Sequence, residues 1–173
     1  MSQQLTPNPK LFTLDKATDL VSEWKQKGEV LVFTNGCFDI LHPGHVDYLQ
    51  KAKNLGSKLI LGLNSDDSVR RLNKGPERPL NSEWSRAFVL AGLTAIDMVV
   101  PFNEDTPLKL ISALKPDILV KGGDYDESES DPTSKNYIVG KREVEEFGGS
   151  VKTIPFLNGF STSDLVEKIK RFG

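Results

Sequence analysis

Segments with a helical spacing of apolar residues alternate with short apolar runs along most of the chain, and this alternation limits the possible folds more than any other feature. Between residues 13 and 28, apolar side chains recur every three or four positions, which predicts a helix. Val30 to Thr34 is a short, largely β-branched run that ends at Asn35-Gly36, which is typical of a strand buried on both faces. Strands separated by helices pair in parallel through right-handed crossovers.

The same pattern continues to the end of the chain. It predicts strands over residues 30–34, 58–63, 98–100, 117–121 and 150–154, and helices over residues 13–28, 43–55, 65–72, 82–95, 106–114, 138–147 and 161–172. We therefore predict an α/β protein with a single domain, built on a Rossmann-like, doubly wound five-stranded parallel sheet. Residues 1–28 are expected to form an N-terminal lead-in and helix, and residues 29–173 the domain that carries the function.

Composition excludes several classes of function. The 173 residues include 22 basic and 24 acidic side chains and have a formal charge of −2, without the basic excess typical of nucleic-acid binding. Apolar runs are far shorter than the roughly 18 residues of a membrane span, and the N-terminus lacks the apolar core of a signal peptide. Cys37 is the single cysteine, which fits a reducing compartment. We expect a cytoplasmic protein that binds neither nucleic acid nor a membrane.

Both histidines of the chain fall in one turn, His42-Pro43-Gly44-His45, directly after the first predicted strand. Ligands of open parallel sheets bind beyond the carboxyl ends of the strands, and the N-terminus of the next helix favours anions. Two imidazoles there suit a phosphoryl group. Three alternatives remain open: a purely structural histidine pair, a zinc site completed by Cys37 and Asp39, and a nucleophilic Cys37 activated by a histidine.

The chain contains neither a P-loop nor a G-x-G-x-x-G fingerprint. Instead, residues 34–45, TNGCFDILHPGH, resemble the nucleotidyltransferase superfamily that carries the H-x-G-H signature. Residues 160–163, FSTS, are similar to the second signature of that superfamily, which opens the last helix. Ser163 stands where a threonine is common, and Val166 where some relatives have a basic residue. The resemblance identifies residues 29–173 as a nucleotidyltransferase domain.

Within the superfamily, the chain resembles the adenylyltransferases that make ADP-heptose from D-glycero-D-manno-heptose 1-phosphate, a precursor step for lipopolysaccharide or other cell-surface glycans. The matching segments are residues 78–81 with Arg86, then 103–107, 121–125 and 161–163. The resemblance implies AMP transfer from ATP to a sugar 1-phosphate, with Mg²⁺ bound to ATP rather than by the protein. It also implies a homodimer. No sugar-kinase segment is recognisable, so a separate kinase is expected to supply the phosphorylated sugar.

The resemblance also implies roles for individual residues. Catalytic roles fall to His42, His45 and Lys74. Nucleotide binding falls to Thr34, Asn35, Gly36, Cys37, Phe38, Gly44, Arg86, Lys121, Gly122, Asp124, Ser161, Thr162 and Ser163. Substrate binding falls to Asp39, Asn64 and Arg78.

Some of these roles have alternatives. Asp39 either accepts sugar hydroxyls or orients the turn, Arg86 either reaches the triphosphate or forms a structural salt bridge, and Ser161 also suits a helix N-cap. Two other functions stay open: a cytidylyltransferase for glycerol 3-phosphate or a phospho-alcohol, and a nucleotide sensor without catalysis. The loop 126–135 carries four acidic residues, which is unusual beside a site for anions.

Overall fold

The computed structural model describes residues 8–73, 75, 77–123 and 125–172. Its strands are β1 (Leu31–Gly36), β2 (Lys58–Asn64), β3 (Met98–Phe102), β4 (Ile118–Gly122) and β5 (Ser150–Ile154). Its helices are α1 (Leu14–Gln26), α2 (Pro43–Lys53), α3 (Asp66–Arg71), α4 (Glu83–Ala91), α5 (Leu108–Leu114), α6 (Lys141–Glu146) and α7 (Thr162–Phe172).

The five strands form one parallel sheet in the order β3-β2-β1-β4-β5. The chain moves outward from β1 to β3, then returns to the other side of β1 with β4 and continues outward to β5. Strand order therefore reverses between β1 and β4, and a crevice opens at the carboxyl ends of these two strands. The predicted Rossmann-like sheet is confirmed, and it directs attention to the segments that follow β1 and β4.

Helices cover both faces of the sheet. Leu49 of α2 and Leu90 of α4 belong to one apolar cluster, while α1, α5 and α6 close the other. Ala17 and Val21 of α1 pack in the same cluster as Phe33 of β1, so the N-terminal helix shares the core of the sheet. None of the helices within the described ranges combines the length and apolar character that a membrane span requires.

Most element boundaries lie within a few residues of the predicted ones, and the differences have local causes. The predicted helix over residues 138–147 begins only at Lys141. Ile138 is completely buried ahead of it, and Gly140 adopts a left-handed conformation with φ of 91°. Residues 82–95 yield a helix that ends at Ala91 with Gly92 as its C-cap. The spacing of apolar residues reports which positions are buried, and buried residues also occur beyond the ends of a helix. Helices predicted from this spacing are therefore too long.

Candidate active site

A cleft with a volume of about 950 Å³ lies over the carboxyl ends of the strands. Most of the residues selected from the sequence line it: Asn35, Gly36, Cys37, Phe38, Asp39, His42, Gly44, His45, Asn64, Arg78, Lys121, Gly122, Ser161, Thr162 and Ser163. Thr34 and Arg86 do not. Lys74 and Asp124 lie outside the described residues. Residues as far apart in the chain as Asn35 and Ser163, which are 128 positions apart, thus reach one surface.

The turn between β1 and α2 holds the two histidines against each other. His42 is the N-cap of α2, with the extended backbone that a following proline favours. Its Nδ1 accepts a hydrogen bond of 3.3 Å from the backbone N–H of His45. The two rings stack with centroids 3.8 Å apart and an interplanar angle of 18°. Because Nδ1 of a neutral His42 is an acceptor here, its Nε2 carries the proton and is available as a donor.

Burial keeps both imidazoles neutral. It lowers the pKa of His45 to about 4, and the neighbouring His42 lowers that pKa further, whereas the Ile40 carbonyl opposes the shift. Burial also lowers the pKa of His42. Nδ1 of His45 is buried and makes no well-formed hydrogen bond with the described residues. The His45 residue nevertheless lines the cleft beside the N-terminus of α2, where a polar or anionic ligand is favoured.

Asp39 organises the turn from within. Its carboxylate accepts hydrogen bonds from the backbone N–H groups of Leu80 (2.9 Å) and Asn81 (2.8 Å). Nε of Arg78 lies 2.7 Å from the same carboxylate, although its N–H does not point at the oxygen, so this contact is an ion pair. Both carboxylate oxygens are therefore occupied by the protein. Of the two roles weighed from the sequence, orienting the turn is the one that these contacts support.

The backbone next to Asp39 is unusual. Phe38 has a positive φ of 47°, which is uncommon for a residue with a side chain. Its ring covers Gly36, where an added Cβ would lie 2.8 Å from a ring carbon. The ring centroid of Phe38 is also 5.1 Å from that of His45. The turn therefore needs a glycine at position 36, and its strained residue packs directly against a histidine.

Arg86 lies beneath the turn and is not among the residues that line the cleft, so its contact with the nucleotide stays a prediction. The side chain is buried, and its Nη1 donates to the Cys37 carbonyl at 2.7 Å. Nε donates to the Asn81 carbonyl at 3.0 Å, and Nη2 pairs with Asp66 at 2.8 Å. The structural salt bridge weighed as its alternative is thus present. Arg86 ties the end of β1 to the loop before α4.

Thr34 likewise turns away from the cleft. Its hydroxyl forms a hydrogen bond of 2.7 Å with the hydroxyl of Tyr48, which in turn lies 3.3 Å from the Val120 carbonyl. The side chain of Thr34 thus forms a buried link between β1, α2 and β4, and its predicted nucleotide contact stays a prediction. Tyr48 itself lines the cleft, and the sequence analysis had missed it.

The β4 and β5 side of the cleft combines a lysine, close backbone contacts and a helix N-terminus. Nζ of Lys121 contacts the side-chain oxygen of Asn35 and lies 5.4 Å from the ring centroid of Tyr125. Gly122 faces the Phe156 ring so closely that an added Cβ would lie 2.2 Å from it. Ser161 accepts a hydrogen bond of 3.0 Å from the N–H of Asp164 and thereby caps α7.

Several further residues line the cleft that the sequence analysis did not select. They are Leu72, Asp105, Thr106, Pro107, Tyr125, Ser134, Lys135, Tyr137, Val139, Phe156, Leu157 and Phe160. The ring of Phe160 stacks near that of His42, with centroids 6.5 Å apart. An aromatic residue just after a strand, at the predicted ligand edge, was the available signal for Phe156, while Phe160 opens the FSTS segment that the resemblance had already singled out. No local signal marks the residues of the long loop after β4.

The described residues contain no group of three or more histidine, cysteine, aspartate or glutamate side chains that could hold a metal ion. The carboxylates at the cleft are already paired, Asp39 with Arg78 and Asp105 with Arg71. Nothing in this part of the chain therefore supports the zinc alternative considered for His42, His45 and Cys37.

Comparison with known proteins gives consistent matches. Residues 33–168 match the model of the cytidylyltransferase-like family. The chain is 52% identical over 160 residues to the bifunctional protein HldE of Syntrophotalea carbinolica and 53% identical over 152 residues to that of Haemophilus influenzae PittEE. These matches cover 92% and 88% of this chain but only 31% and 30% of the relatives. The chain thus spans about a third of the length of these curated relatives.

Two solved structures share the fold. A lipopolysaccharide core biosynthesis protein from Thermoplasma volcanium superposes with a TM-score of 0.58 at 28% identity, covering 75% of this chain and 98% of that protein. A pantoate-beta-alanine ligase from Francisella tularensis gives a TM-score of 0.59 at 14% identity, covering 92% of this chain and 76% of the ligase. At that identity, the second likeness concerns the fold alone.

Replacing Asp39 by asparagine should lower the free energy of unfolding by about 3 kcal/mol, because it breaks a buried ion pair and places an amide N–H₂ against two backbone donors. Urea unfolding followed by circular dichroism measures this loss. Asp67→Asn, which removes an exposed pair with Arg70, is the matched control and should cost less than about 1 kcal/mol. Unchanged stability in Asp39→Asn would contradict the orienting role.

The two histidines make the pH dependence measurable. In the ligand-free protein, the NMR titration of His45 should have a midpoint near pH 4. The unfolded chain binds more protons than the folded chain between that value and the ordinary histidine pKa of about 6.5. Stability should therefore fall as the pH drops from about 6.5 to 4 and lose no more through this group below that range. His45→Gln should show a smaller fall, and a His45 midpoint at or above 6.5 would refute the assignment.

Proposed function

The chain belongs to the cytidylyltransferase-like family, and on that basis we propose that it transfers AMP from ATP to a sugar 1-phosphate and releases pyrophosphate. The acceptor we propose is D-glycero-D-manno-heptose 1-phosphate, which gives ADP-heptose. The observation that carries the proposal is the stacked, neutral pair of His42 and His45 at the N-terminus of α2, at the point where strand order reverses. The heptose rests on the matching segments over residues 78–81, 103–107, 121–125 and 161–163.

In this reaction an oxygen of the acceptor phosphate attacks the α-phosphorus of ATP. A new bond forms between that oxygen and the α-phosphorus, and the bond from the α-phosphorus to the bridging oxygen of the β-phosphate breaks. Pyrophosphate leaves with the electron pair. Since a phosphate oxygen is ionised at neutral pH, no general base is needed. The protein has to align the two substrates and stabilise the charge that grows on the phosphoryl group.

The histidine pair suits that task because it is rigid and neutral before ATP binds. His42 already uses Nδ1 to accept the N–H of His45, which leaves its Nε2–H as a donor for a phosphate oxygen. His45 is held between His42 and Phe38. Donors fixed in advance do not have to reorganise as charge develops, and this is the main source of electrostatic catalysis.

The N-termini of α2 and α7 border the same cleft and add positive ends of helix dipoles. We propose that the nucleotide is contacted by residues 35–38, Gly44, Lys121, Gly122 and residues 161–163, all of which line the cleft. Lys74 and Asp124, which the resemblance also selects, remain predictions. Asn64 and Arg78 stay candidates for the acceptor, although Arg78 is paired with Asp39 and Asn64 donates to Ser68 at 3.0 Å.

ATP enters in this proposal as its Mg²⁺ complex. The cleft-lining carboxylates among the described residues are paired with arginines, so the ion would be held by phosphate oxygens and water. The ion neutralises part of the charge on the triphosphate. A cytoplasmic setting, where ATP is available, and a homodimer also stay predictions of the sequence. Sedimentation velocity measures the oligomeric state.

The purified protein should release pyrophosphate with ATP, Mg²⁺ and D-glycero-D-manno-heptose 1-phosphate, and ADP-heptose should appear in the same amount. A coupled pyrophosphate assay across the four nucleoside triphosphates, each with the heptose 1-phosphate or glycerol 3-phosphate, measures this preference. Faster turnover of CTP with glycerol 3-phosphate would move the protein to the cytidylyltransferases. No release with any pair, together with tight ATP binding, would favour a sensor.

His45→Ala should reduce kcat about a hundredfold to a thousandfold, which corresponds to the loss of one fixed donor to the reacting phosphoryl group. Binding of ATP should weaken much less, because only interactions that strengthen in the transition state speed the chemical step. Gln50→Ala, an exposed position on the same helix, is the control and should retain near-normal kcat. Equal kcat values in the two variants would exclude a catalytic role for His45.

A further inference from the structure

The connection from β4 to α6 forms one wall of the cleft and is held in place by several contacts. The two ends of the loop 126–136 are joined by a hydrogen bond of 3.1 Å from the Asp126 N–H to the Asn136 carbonyl, and we call this point the neck of the loop. The Glu127 carboxylate accepts from the backbone N–H of Thr153 and, at 2.9 Å, from the Thr153 hydroxyl, which anchors the loop to β5. At the other end, Ile138 is completely buried in the core. The loop is therefore fixed at the neck, at β5 and in the core.

The acidic side chains of this loop are engaged within it. Asp126 accepts from the N–H (2.8 Å) and the hydroxyl (2.7 Å) of Ser128, and Asp131 accepts from the N–H (2.9 Å) and the hydroxyl (2.8 Å) of Thr133. These hydrogen bonds hold the pKa values of both carboxyls below the ordinary range. The residues that this connection contributes to the cleft are instead Tyr125, Ser134, Lys135, Tyr137 and Val139. The surface it offers to a ligand is cationic and hydroxylic.

In the proposed reaction, the positive charges along the cleft have to serve two phosphate-bearing substrates, ATP and the sugar 1-phosphate. The cationic side chains that line it, within the described ranges, are Arg78, Lys121 and Lys135. Arg78 is committed to Asp39, and the histidines are neutral. The helix N-termini and the histidine pair suit the triphosphate, which leaves the phosphate of the acceptor to be matched. Lys135 makes no ion pair with any described residue, and Lys121 lies on the same β4 side of the cleft.

We propose that the segment 134–137 recognises the acceptor, and that the ammonium group of Lys135 binds the phosphate of the sugar 1-phosphate. The hydroxyls of Ser134 and Tyr137 hydrogen-bond the sugar, while Lys121 of β4 keeps the role toward the nucleotide that the sequence predicts. Lys135 is a specificity-determining residue in this arrangement, since it sets which phosphorylated acceptors are held in line with the α-phosphorus. The inference rests on the proposed function, because it assigns the acceptor of the same reaction.

The test compares Lys135→Met with Lys152→Met, which removes an exposed lysine of β5 outside the cleft. Methionine keeps the aliphatic stem and removes only the charge. Lys135→Met should raise the KM for D-glycero-D-manno-heptose 1-phosphate about tenfold or more, as expected for the loss of a hydrogen bond to a charged group. The KM for ATP should stay within about twofold. Lys135→Arg should recover most of the loss, and Lys152→Met should resemble the wild type.

Isothermal titration calorimetry with the heptose 1-phosphate, in the presence of a non-hydrolysable ATP analogue, separates this inference from the proposed function. If the wild type turns over but both methionine variants have the same acceptor KM, the inference is wrong and the function stands. If no turnover occurs, the proposed function is wrong. In that case, weaker sugar-phosphate binding by Lys135→Met than by Lys152→Met supports the subsite, and equal binding, or none by the wild type, overturns it.

Discussion

The geometry of the site depends on the contacts of one buried group, the carboxylate of Asp39. It fixes the loop after Arg78 to the turn that follows β1, through two backbone N–H groups and an ion pair. Arg86 fixes the same turn from below through the Cys37 carbonyl. Between these two anchors, Phe38 is held in a left-handed conformation and its ring rests against His45. The histidines are thus positioned by charged groups whose described partners belong to the protein itself.

The charged side chains that hold the turn are different from the groups proposed to contact the phosphates. Two ion pairs hold the turn: Asp39 with Arg78 at the wall of the cleft, and Arg86 with Asp66 beneath it. The groups at the start of α2 are uncharged: two imidazoles with lowered pKa values beside a helix N-terminus. The ion pairs supply rigidity, and the dipoles supply selectivity for developing charge.

The sequence was sufficient to predict the sheet, the order of its elements and the turn with both histidines. These features follow from local periodicity and from the rule that parallel sheets bind ligands at their carboxyl edge. It was insufficient to predict the contacts of Arg86 and Thr34. A side chain on a correctly predicted element can pack against several neighbours, and only the tertiary structure decides which. Arg86 finds three partners below the turn, and Thr34 finds Tyr48. Lys135 was missed for a similar reason, since a loop anchored by Glu127 to β5 carries no periodic signal.

The central strand joins partners that lie far apart in the chain. β1 pairs with β2 across one helix, but its other neighbour is β4, and the Leu31 N–H is bonded to the Asp117 carboxylate 86 residues away. The histidines lie in the first half of the chain, between β1 and β2, whereas Lys121 and the N-terminus of α7 lie in the second half, from β4 onward. A chain in which only the first half has formed therefore holds its histidines without the opposite wall of the cleft. Because closing so long a loop is slow, the non-local pairing of β1 with β4 is expected to limit the rate at which activity appears during refolding.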